Sequence, residues 1–388
     1  MKHLEAPDHV SDVLPADLLE RIRERAPSYD RENRFPDEDF AELAAAGYLK
    51  VLLPVSDGGS GWNLGTLATA QRLLAAHAPA TALAVNMHHV WAGVAHILGA
   101  RGDDRLGFVQ EWIRDGHVMA FGISEPGNDQ VLFDSLTAAE EHDGGVRLTG
   151  RKIFTSLSPV WTRLGVFGKL GAGEEAELVH GFVDRADPGV STGDDWDTLG
   201  MRATQSSSTR LEGAFVPGEW LHTRLPVGPQ PDPLIFGIFA SFLTLTASVY
   251  TGLADRALEL AAQVPARRTS LKHGTTLDRD PDIRWQIAHA GMDILALDAL
   301  IRRTTADLDG LVDHGAGWFP RLVTLRTRAG DTARSTVETA LKVSGGGQYF
   351  RGSELERLYR DALASLYHPS DAESAHGTVA AWLLGPLA

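Results

Sequence analysis

The order of helical and strand patterns along the chain is the feature that most restricts its fold. Up to about residue 115, apolar residues recur at helical spacing, as Leu18, Leu19 and Ile22 do. From 116 to about 230, short β-rich runs are separated by Gly, Asp and Pro, which is typical of antiparallel strands joined by turns. Helical patterns then return. We therefore expect an α+β protein with an N-terminal helical domain (1–115), a middle β-domain (116–230) and a C-terminal helical domain (231–388).

Four helical patterns in the last region indicate how that domain is built. They cover residues 235–264, 282–311, 321–343 and 372–384, and Pro265 disfavours continuation of the first. Helices of this length with apolar faces pack against one another, so we expect a four-helix bundle.

Charge and composition exclude several classes of function. The 388 residues carry a formal net charge of -15, which repels nucleic-acid phosphates and anionic lipids. No apolar run approaches the roughly 20 residues of a membrane helix, and residues 1–6 lack the apolar core of a secretory signal. The chain has no cysteine, and its 15 histidines show no metal-ligand spacing. We expect a cytoplasmic protein that binds no nucleic acid, membrane or metal.

Residues suited to holding a cofactor are concentrated in a few segments. Ser and Thr hydroxyls can hydrogen-bond the polar edge of a flavin, and successive glycines let backbone N–H groups approach a pyrophosphate. The segments are GISEPGND at 122–129, GRKIFTS at 150–156, LGMRAT at 199–204 followed by FVP at 215–217, and SGGGQY at 344–349 with ELERLYRD at 354–361.

In this order the segments resemble the acyl-CoA dehydrogenase superfamily over nearly the whole chain. The resemblance implies FAD bound between two helical domains and a β-barrel-like middle domain. It places Ser124 and Ser156 at the polar edge and N5 of the flavin, with Phe154 lining the ring. Hydride transfer from an acyl thioester, carried by CoA or a carrier protein, to flavin N5 is then the favoured reaction, with an electron-transfer flavoprotein as a possible acceptor.

The resemblance also implies an oligomer, a homodimer or a homotetramer. Arg268 is expected to reach the FAD pyrophosphate across a dimer interface. Gly345, Gly346 and Gly347 are expected beside the adenine half of FAD in a neighbouring subunit. Taken alone, an arginine on the surface and a glycine-rich helix end remain alternative explanations.

The general base of the family is missing from its expected positions. Most members carry a Glu in a Tyr-Glu-Gly-Thr segment after the Arg-Asp pair, where this chain has His368 after Tyr367. The helix that carries the Glu in other members has no acid here. His368 is therefore the leading acid–base candidate, because histidine gains and loses protons near neutral pH. Asp371 and Glu373 are fallback bases.

The missing Glu favours a second branch of the superfamily as the alternative. These flavin-dependent monooxygenases are C4a-hydroperoxyflavin hydroxylases or N-oxygenases, and they place histidines and a Ser or Thr near the flavin. The resemblance then gives His88 (or His89), Ser156 and His368 catalytic roles, with FMN possible in place of FAD and a flavin reductase as partner. A polar patch in a buried helix is the plainer explanation of His88 and His89. A scaffold without catalysis is disfavoured, since it would not need the flavin-binding residues.

Overall fold

The computed structural model describes residues 8–386, which contain eleven α-helices, one eight-stranded sheet and one two-stranded sheet. Its helices are α1 Asp8–Ser11, α2 Ala16–Glu32, α3 Asp37–Ala45, α4 Leu64–Ala75, α5 Pro79–Ala100, α6 Gly107–Arg114, α7 Pro233–Ala266, α8 Pro281–Asp309, α9 Trp318–Ser344, α10 Glu354–Leu363 and α11 Ala372–Leu384. Its strands are β1 Met119–Gly122, β2 Ala138–His142, β3 Gly145–Lys152, β4 Arg163–Leu170, β5 Glu177–Asp184, β6 Val190–Thr192, β7 Thr209–Pro217, β8 Leu221–Pro226, β9 Thr269–Ser270 and β10 Thr275–Thr276.

The main sheet is mixed, whereas the strand patterns predicted an antiparallel one. Its order is β6-β7-β3-β2-β4-β5-β8, with β1 also paired to β4. The β1–β4 and β2–β4 pairs are parallel. Both involve strands separated by long connections, which parallel pairing requires and which leave no turn signature in the sequence. The remaining pairs of this sheet are antiparallel.

Helix α7 is the central helix of the molecule. Its length and hydropathy would allow it to cross a membrane, so the sequence-based statement that no run approaches this length was wrong. In the fold 89% of its most apolar window is buried, and we interpret it as a core helix. It packs against α4 and α5 of the N-terminal region and against α8 and α9.

Buried charges join the N-terminal and C-terminal helices. The Arg72 guanidinium on α4 bonds both carboxylate oxygens of Asp255 on α7, at 2.6 and 3.0 Å, and also contacts Asp298 on α8. Arg72 and Asp255 are buried, so these bonds fix the relative positions of α4, α7 and α8.

Local helix signals were predicted less well than the helices themselves. The spacing of Asp17 and Glu20 in the sequence predicts a capping box, but helix α2 follows Pro15 and has no side-chain cap, so this prediction was wrong. Gly47 takes a left-handed φ of 78° just after α3, as expected of a residue that ends a helix.

Candidate functional site

One cavity of about 740 Å³ lies between the sheet domain and the C-terminal helices. Two walls enclose it. The β-domain wall has lining residues within 121–133, 153–156 and 196–206, and the helical wall has lining residues within 238–243 of α7 and 360–378, with Leu83 and Met87 of α5 completing the lining. Five of the residues predicted from the sequence line this cavity, namely Ser124, Phe154, Ser156, His368 and Asp371.

A buried ion pair holds the β-domain wall in shape. Lys152 Nζ donates to Glu125 Oε1 at 2.7 Å and to the carbonyl oxygen of Phe167 at 2.7 Å. Burial alone would raise the pKa of Glu125, but the Lys152 ammonium and hydrogen bonds such as that from Thr137 outweigh it and lower this pKa to about 2. Glu125 is next to Ser124 in the sequence, and Lys152 is two residues before Phe154. The Glu125–Lys152 pair therefore fixes the positions of these two cavity-lining residues.

Phe154 offers a flat apolar surface to the cavity. Its φ is 58°, an unusual value for a bulky residue, and its side chain is 49% exposed. Its ring meets Trp196 edge-on at 6.1 Å. An apolar ring held open in this way suits a planar ligand, so the position agrees with the ring-lining role expected for Phe154.

The Arg360–Asp361 pair ties the β-domain wall to two helices. Asp361 accepts a hydrogen bond from the backbone N–H of Met201 at 2.5 Å, and Arg360 binds both carboxylate oxygens of Asp30 on α2. A Cβ on Gly200 would lie 2.1 Å from the Arg360 carbonyl oxygen, so only glycine fits there. The segment at 199–204 and the segment at 354–361 thus contact each other, and these contacts hold the β-domain wall in place.

A histidine–tyrosine pair marks the helical wall. Tyr250 Oη on α7 and His368 Nδ1 lie 2.7 Å apart. Burial raises the pKa of Tyr250 well above its usual range, so the phenol keeps its proton. Burial, together with the Arg326 guanidinium, lowers the pKa of His368 to about 3, and the Ala364 carbonyl offsets this only in part. The imidazole is therefore neutral at neutral pH.

The hydrogen bond also determines which ring nitrogen of His368 carries the proton. Tyr250 is fully buried, and within residues 8–386 its hydroxyl has no other hydrogen-bond partner than His368. If Nδ1 donated, the buried phenol proton would have no acceptor in that part of the chain, which costs about 1–3 kcal/mol. Tyr250 accordingly donates to Nδ1, and Nε2 carries the single proton of the ring. In this tautomer His368 is a hydrogen-bond donor at Nε2.

His88 does not belong to the cavity, so the catalytic role expected for it is corrected. The backbone N–H of Met119 donates to His88 Nδ1 at 3.1 Å, and Nε2 bonds the Leu49 carbonyl oxygen at 2.8 Å. Both nitrogens are therefore engaged with backbone, and burial lowers the pKa of His88 to about 4. Its neighbour His89 is fully buried against Tyr48. These rings join α5 to β1 and to the turn at residues 48–50.

Arg268 and the glycine triplet form a separate surface outside the cavity lining. Arg268 Nη1 donates to the carbonyl oxygen of Ser344 at 2.5 Å, and a Cβ on Gly345 would lie 2.2 Å from that nitrogen. Gly346 and Gly347 follow in a short 3-10 helix. The structure brings these predicted residues together, while their contact with the adenine half of FAD stays a prediction.

The acidic residues of the cavity are poor substitutes for the missing base. Asp129 is exposed at the mouth, and Asp371 caps α11 by accepting from the N–H and hydroxyl of Ser374, each at 2.8 Å. The hydrogen bonds from Ser374 lower the pKa of Asp371. Glu373 does not line the cavity.

Comparison with known proteins identifies the family. Residues 14–104 match the model of the acyl-CoA dehydrogenase N-terminal domain, and residues 244–370 match that of the acyl-CoA dehydrogenase C-terminal domain. The chain belongs to the acyl-CoA dehydrogenase superfamily. Membership confirms the fold expected from the sequence, although the C-terminal region has two shorter helices, α10 and α11, besides its three long ones.

Relatives in this superfamily include both dehydrogenase and oxygenase types. The chain is 25% identical to the putative acyl-CoA dehydrogenase YdbM of Bacillus subtilis, covering 91% of each protein. It is 28% identical to L-evernosamine nitrososynthase of Micromonospora sp., covering 92% of this chain and 85% of that protein. The solved structure of KijD3 with FMN and a dTDP-amino-keto sugar matches with a TM-score of 0.84 and 25% identity, over 99% of this chain and 96% of that one. These similarities support a flavin enzyme and leave the reaction open.

The β-domain wall fits the ring of a flavin. The Ser124 hydroxyl lines the cavity and makes no hydrogen bond within residues 8–386, so it is available to a ligand. Phe154 supplies the apolar face, and the volume of about 740 Å³ lies within the range of roughly 300–1,000 Å³ for cofactor pockets. Sequence reasoning missed Tyr250, Trp196 and Ser206, because each acts through a partner distant in sequence.

Proposed function

We propose that this protein is a flavin-dependent monooxygenase that adds one oxygen atom to a small, largely apolar substrate. The observation that carries the proposal is the Tyr250–His368 pair, whose imidazole is neutral at neutral pH. With Tyr250 as the donor to Nδ1, the proton of this ring lies on Nε2. A dehydrogenase of this family needs a carboxylate in that place to remove the α-proton. The nitrososynthase and KijD3 similarities support the same branch, since a nitroso group carries oxygen on nitrogen.

His368 is poorly suited to act as the base of an acyl-thioester dehydrogenase. A general base needs a free lone pair and a pKa near the working pH. The Nε2 atom of His368 already bears the proton, and the pKa of the ring is lowered to about 3. The same N–H is suited to donate to an oxygen atom that gains negative charge in the cavity.

Bound reduced flavin would supply the two electrons that activate molecular oxygen. One oxygen atom then enters the substrate, and the other leaves as water with two protons. In this scheme His368 donates to the oxygen in the cavity, Ser124 and Phe154 orient the flavin ring, and the apolar walls exclude water. FMN or FAD would be delivered in reduced form by a flavin reductase.

The apolar walls indicate the kind of substrate that reaches the flavin. Phe121 stacks on Phe242 with centroids 5.6 Å apart, and Phe133 stacks on Phe239 at 6.2 Å. Arg360 is the one Lys or Arg among the described lining residues, and Asp30 and Glu356 already neutralise it. We therefore propose that the reacting part of the substrate is uncharged and apolar or aromatic.

Exposed apolar residues support a homo-oligomer. Tyr349 and Phe350, beside the glycine triplet, are 90% and 74% exposed. On α8, Trp285, Met292 and Leu295 are also exposed. Patches of this kind mark association surfaces, and we propose that a second copy covers them, as a dimer or a tetramer. Analytical ultracentrifugation would detect the expected assembly, and a monomer at micromolar concentration would contradict it.

The test supplies the purified protein with FMN, an NADH-dependent flavin reductase, isotopically labelled oxygen gas and a panel of uncharged aromatic compounds and amines. We expect mass spectrometry to detect one labelled oxygen atom in at least one product. The matched control is His368→Ala, which retains the cavity and should form product at a strongly reduced rate. Desaturation of an acyl thioester without oxygen would overturn the proposal.

Acyl-thioester dehydrogenation, the reaction favoured by the sequence, is the second candidate. The similarity to YdbM favours it, and Asp371 lines the cavity at the end of the segment that carries the Glu in dehydrogenases. In that case Asp371 would have to leave its capping position to act as the base. An Asp371→Asn variant would then lose activity, whereas the monooxygenase should retain it.

A further inference from the structure

Three buried hydroxyl groups form a line that begins at the cavity. Ser156 Oγ lies 2.7 Å from Ser206 Oγ, and Ser206 Oγ lies 2.8 Å from Thr204 Oγ1. The line ends where Thr204 Oγ1 donates to the carbonyl oxygen of Met201 at 2.9 Å. Ser156, Ser206 and Thr204 are at most 6% exposed, so bulk water does not compete for these bonds.

The carbonyl at the inner end determines the direction of every bond in the line. A carbonyl oxygen can only accept, and each hydroxyl has one proton to donate. Because Thr204 gives its proton to Met201, it must accept from Ser206, and Ser206 must in turn accept from Ser156. The proton of Ser156 therefore points away from the cavity, and only its lone pair is available to a ligand.

We infer that this line makes Ser156 a hydrogen-bond acceptor and gives the site a preference for reduced over oxidised flavin. The inference rests on the proposed function and on the position at flavin N5 that the family resemblance gives to Ser156. A reduced flavin carries a proton on N5 and can donate to Ser156, whereas N5 of an oxidised flavin is an acceptor. Ser206 and Thr204 also line the cavity, and through the hydrogen bonds of the line they set the direction in which the Ser156 proton points.

The size of the preference follows from counting hydrogen bonds. With a donor in the cavity, the line has four bonds, from the ligand to Ser156 and on to Met201. With an acceptor in the cavity all three hydroxyls must reverse, and the bond from Thr204 to Met201 is lost. One neutral hydrogen bond corresponds to roughly a two- to tenfold difference in affinity. A protein that takes up reduced flavin from a reductase would gain selectivity from this difference.

The experiment measures dissociation constants of the full-length protein for oxidised FMN and for dithionite-reduced FMN under anaerobic conditions, by ultrafiltration. Wild type should bind the reduced form roughly two- to tenfold more tightly. Thr204→Val retains the shape of the side chain but accepts no proton, so Ser206 and Ser156 become free to reverse. This variant should bind both forms with nearly equal affinity, and Ser156→Ala should bind both more weakly.

Ser158→Ala is the matched control. Ser158 is a buried neighbour whose hydroxyl donates to the Thr155 carbonyl oxygen at 2.6 Å, outside the line. The Ser158→Ala variant should retain the wild-type ratio of the affinities for reduced and oxidised FMN. Equal binding of the two forms by wild type, or a ratio unchanged by Thr204→Val, would overturn the inference while leaving flavin binding intact. Failure of wild type to bind either form would instead overturn the proposed function.

Discussion

The two walls of the cavity differ in how closely they follow the family. The β-domain wall contains the matching motifs, and the buried Glu125–Lys152 pair holds it in shape. The helical wall departs from the family, since His368 replaces the expected carboxylate and bonds Tyr250. The comparison teaches that family membership predicts the cofactor better than the reaction. A wall that holds the flavin is compatible with either chemistry, whereas one acid–base group decides between them.

Lys152→Met should produce the largest effect, and it tests the β-domain wall. The change leaves the Glu125 carboxylate buried without its ammonium, which costs about 3–5 kcal/mol of unfolding free energy. Urea unfolding followed by circular dichroism would measure the loss. Lys169→Met is the control, because the Lys169–Asp134 pair at 2.8 Å is about one-third exposed and should contribute about 0–1 kcal/mol. Equal losses of unfolding free energy in the two variants would contradict the role of Lys152 in holding the β-domain wall in shape.

His368→Ala tests the helical wall. Loss of a positioned proton donor typically slows turnover about 10²- to 10⁴-fold, and flavin binding should persist because the β-domain wall is untouched. Product formation per bound flavin is the measurement. His368→Gln retains an N–H donor and should recover part of the rate. Wild-type turnover in His368→Ala would remove this residue from the mechanism.

His88→Ala should show the opposite behaviour to His368→Ala. It leaves the buried N–H of Met119 without its acceptor, so the protein should lose about 1–3 kcal/mol of stability. Turnover per bound flavin should remain near that of wild type, because His88 lies outside the cavity. Thermal unfolding and a flavin-normalised assay would separate the two quantities. A stable variant with no turnover would restore His88 to the active site.

The pH dependence of stability tests the buried histidines of the whole fold together. The pKa values of His88, His180 and His368 are lowered by burial to about 4, 3 and 3, so the folded protein does not take up protons that the unfolded chain binds below about 6.5. The contribution of these histidines to the free energy of unfolding is thus fully present above about pH 6.5. It is lost as the pH falls towards the pKa values of the folded state. Each ring contributes at most about 1.4 kcal/mol per pH unit.

Asp39 and Asp361 oppose the histidines, because burial raises the pKa of each to about 6. Their contribution is present at low pH and is lost as the pH rises through about 6. Within residues 8–386, eight histidines have lowered pKa values, so the histidines should dominate. Urea unfolding at pH 7 and pH 5 should give the lower free energy at pH 5. A shallower slope in His88→Gln would support this origin, and greater stability at pH 5 would contradict it.

Local patterns predicted the long elements well. Helix α11 was predicted at residues 372–384, as observed, and α7 was predicted at 235–264 against Pro233–Ala266. Strand β2 could not be predicted from a β-rich run, because its sequence AAEEH is mostly exposed and lacks consecutive apolar residues. Its pairing with β3 and β4 is a tertiary property that a local pattern does not carry.

The candidate site was predicted in part. The residues of the β-domain wall were found because they lie within recognisable motifs. His88 and His368 both follow apolar segments, and only the fold distinguishes a ring bonded to two backbone groups from one that lines the cavity. Tyr250 carried no signal, since it is 118 residues away from its partner His368 in sequence.

The central claim is that the β-domain wall retains the flavin-binding residues of the family, whereas the helical wall has His368 in place of the carboxylate base. An anaerobic titration of the flavin-loaded protein with a panel of acyl-CoA thioesters, following flavin absorbance, tests it most directly, with dithionite as the positive control for reduction. The account predicts that dithionite bleaches the flavin and that no thioester does. Bleaching by any thioester would demonstrate hydride transfer from substrate to flavin, and would contradict the account.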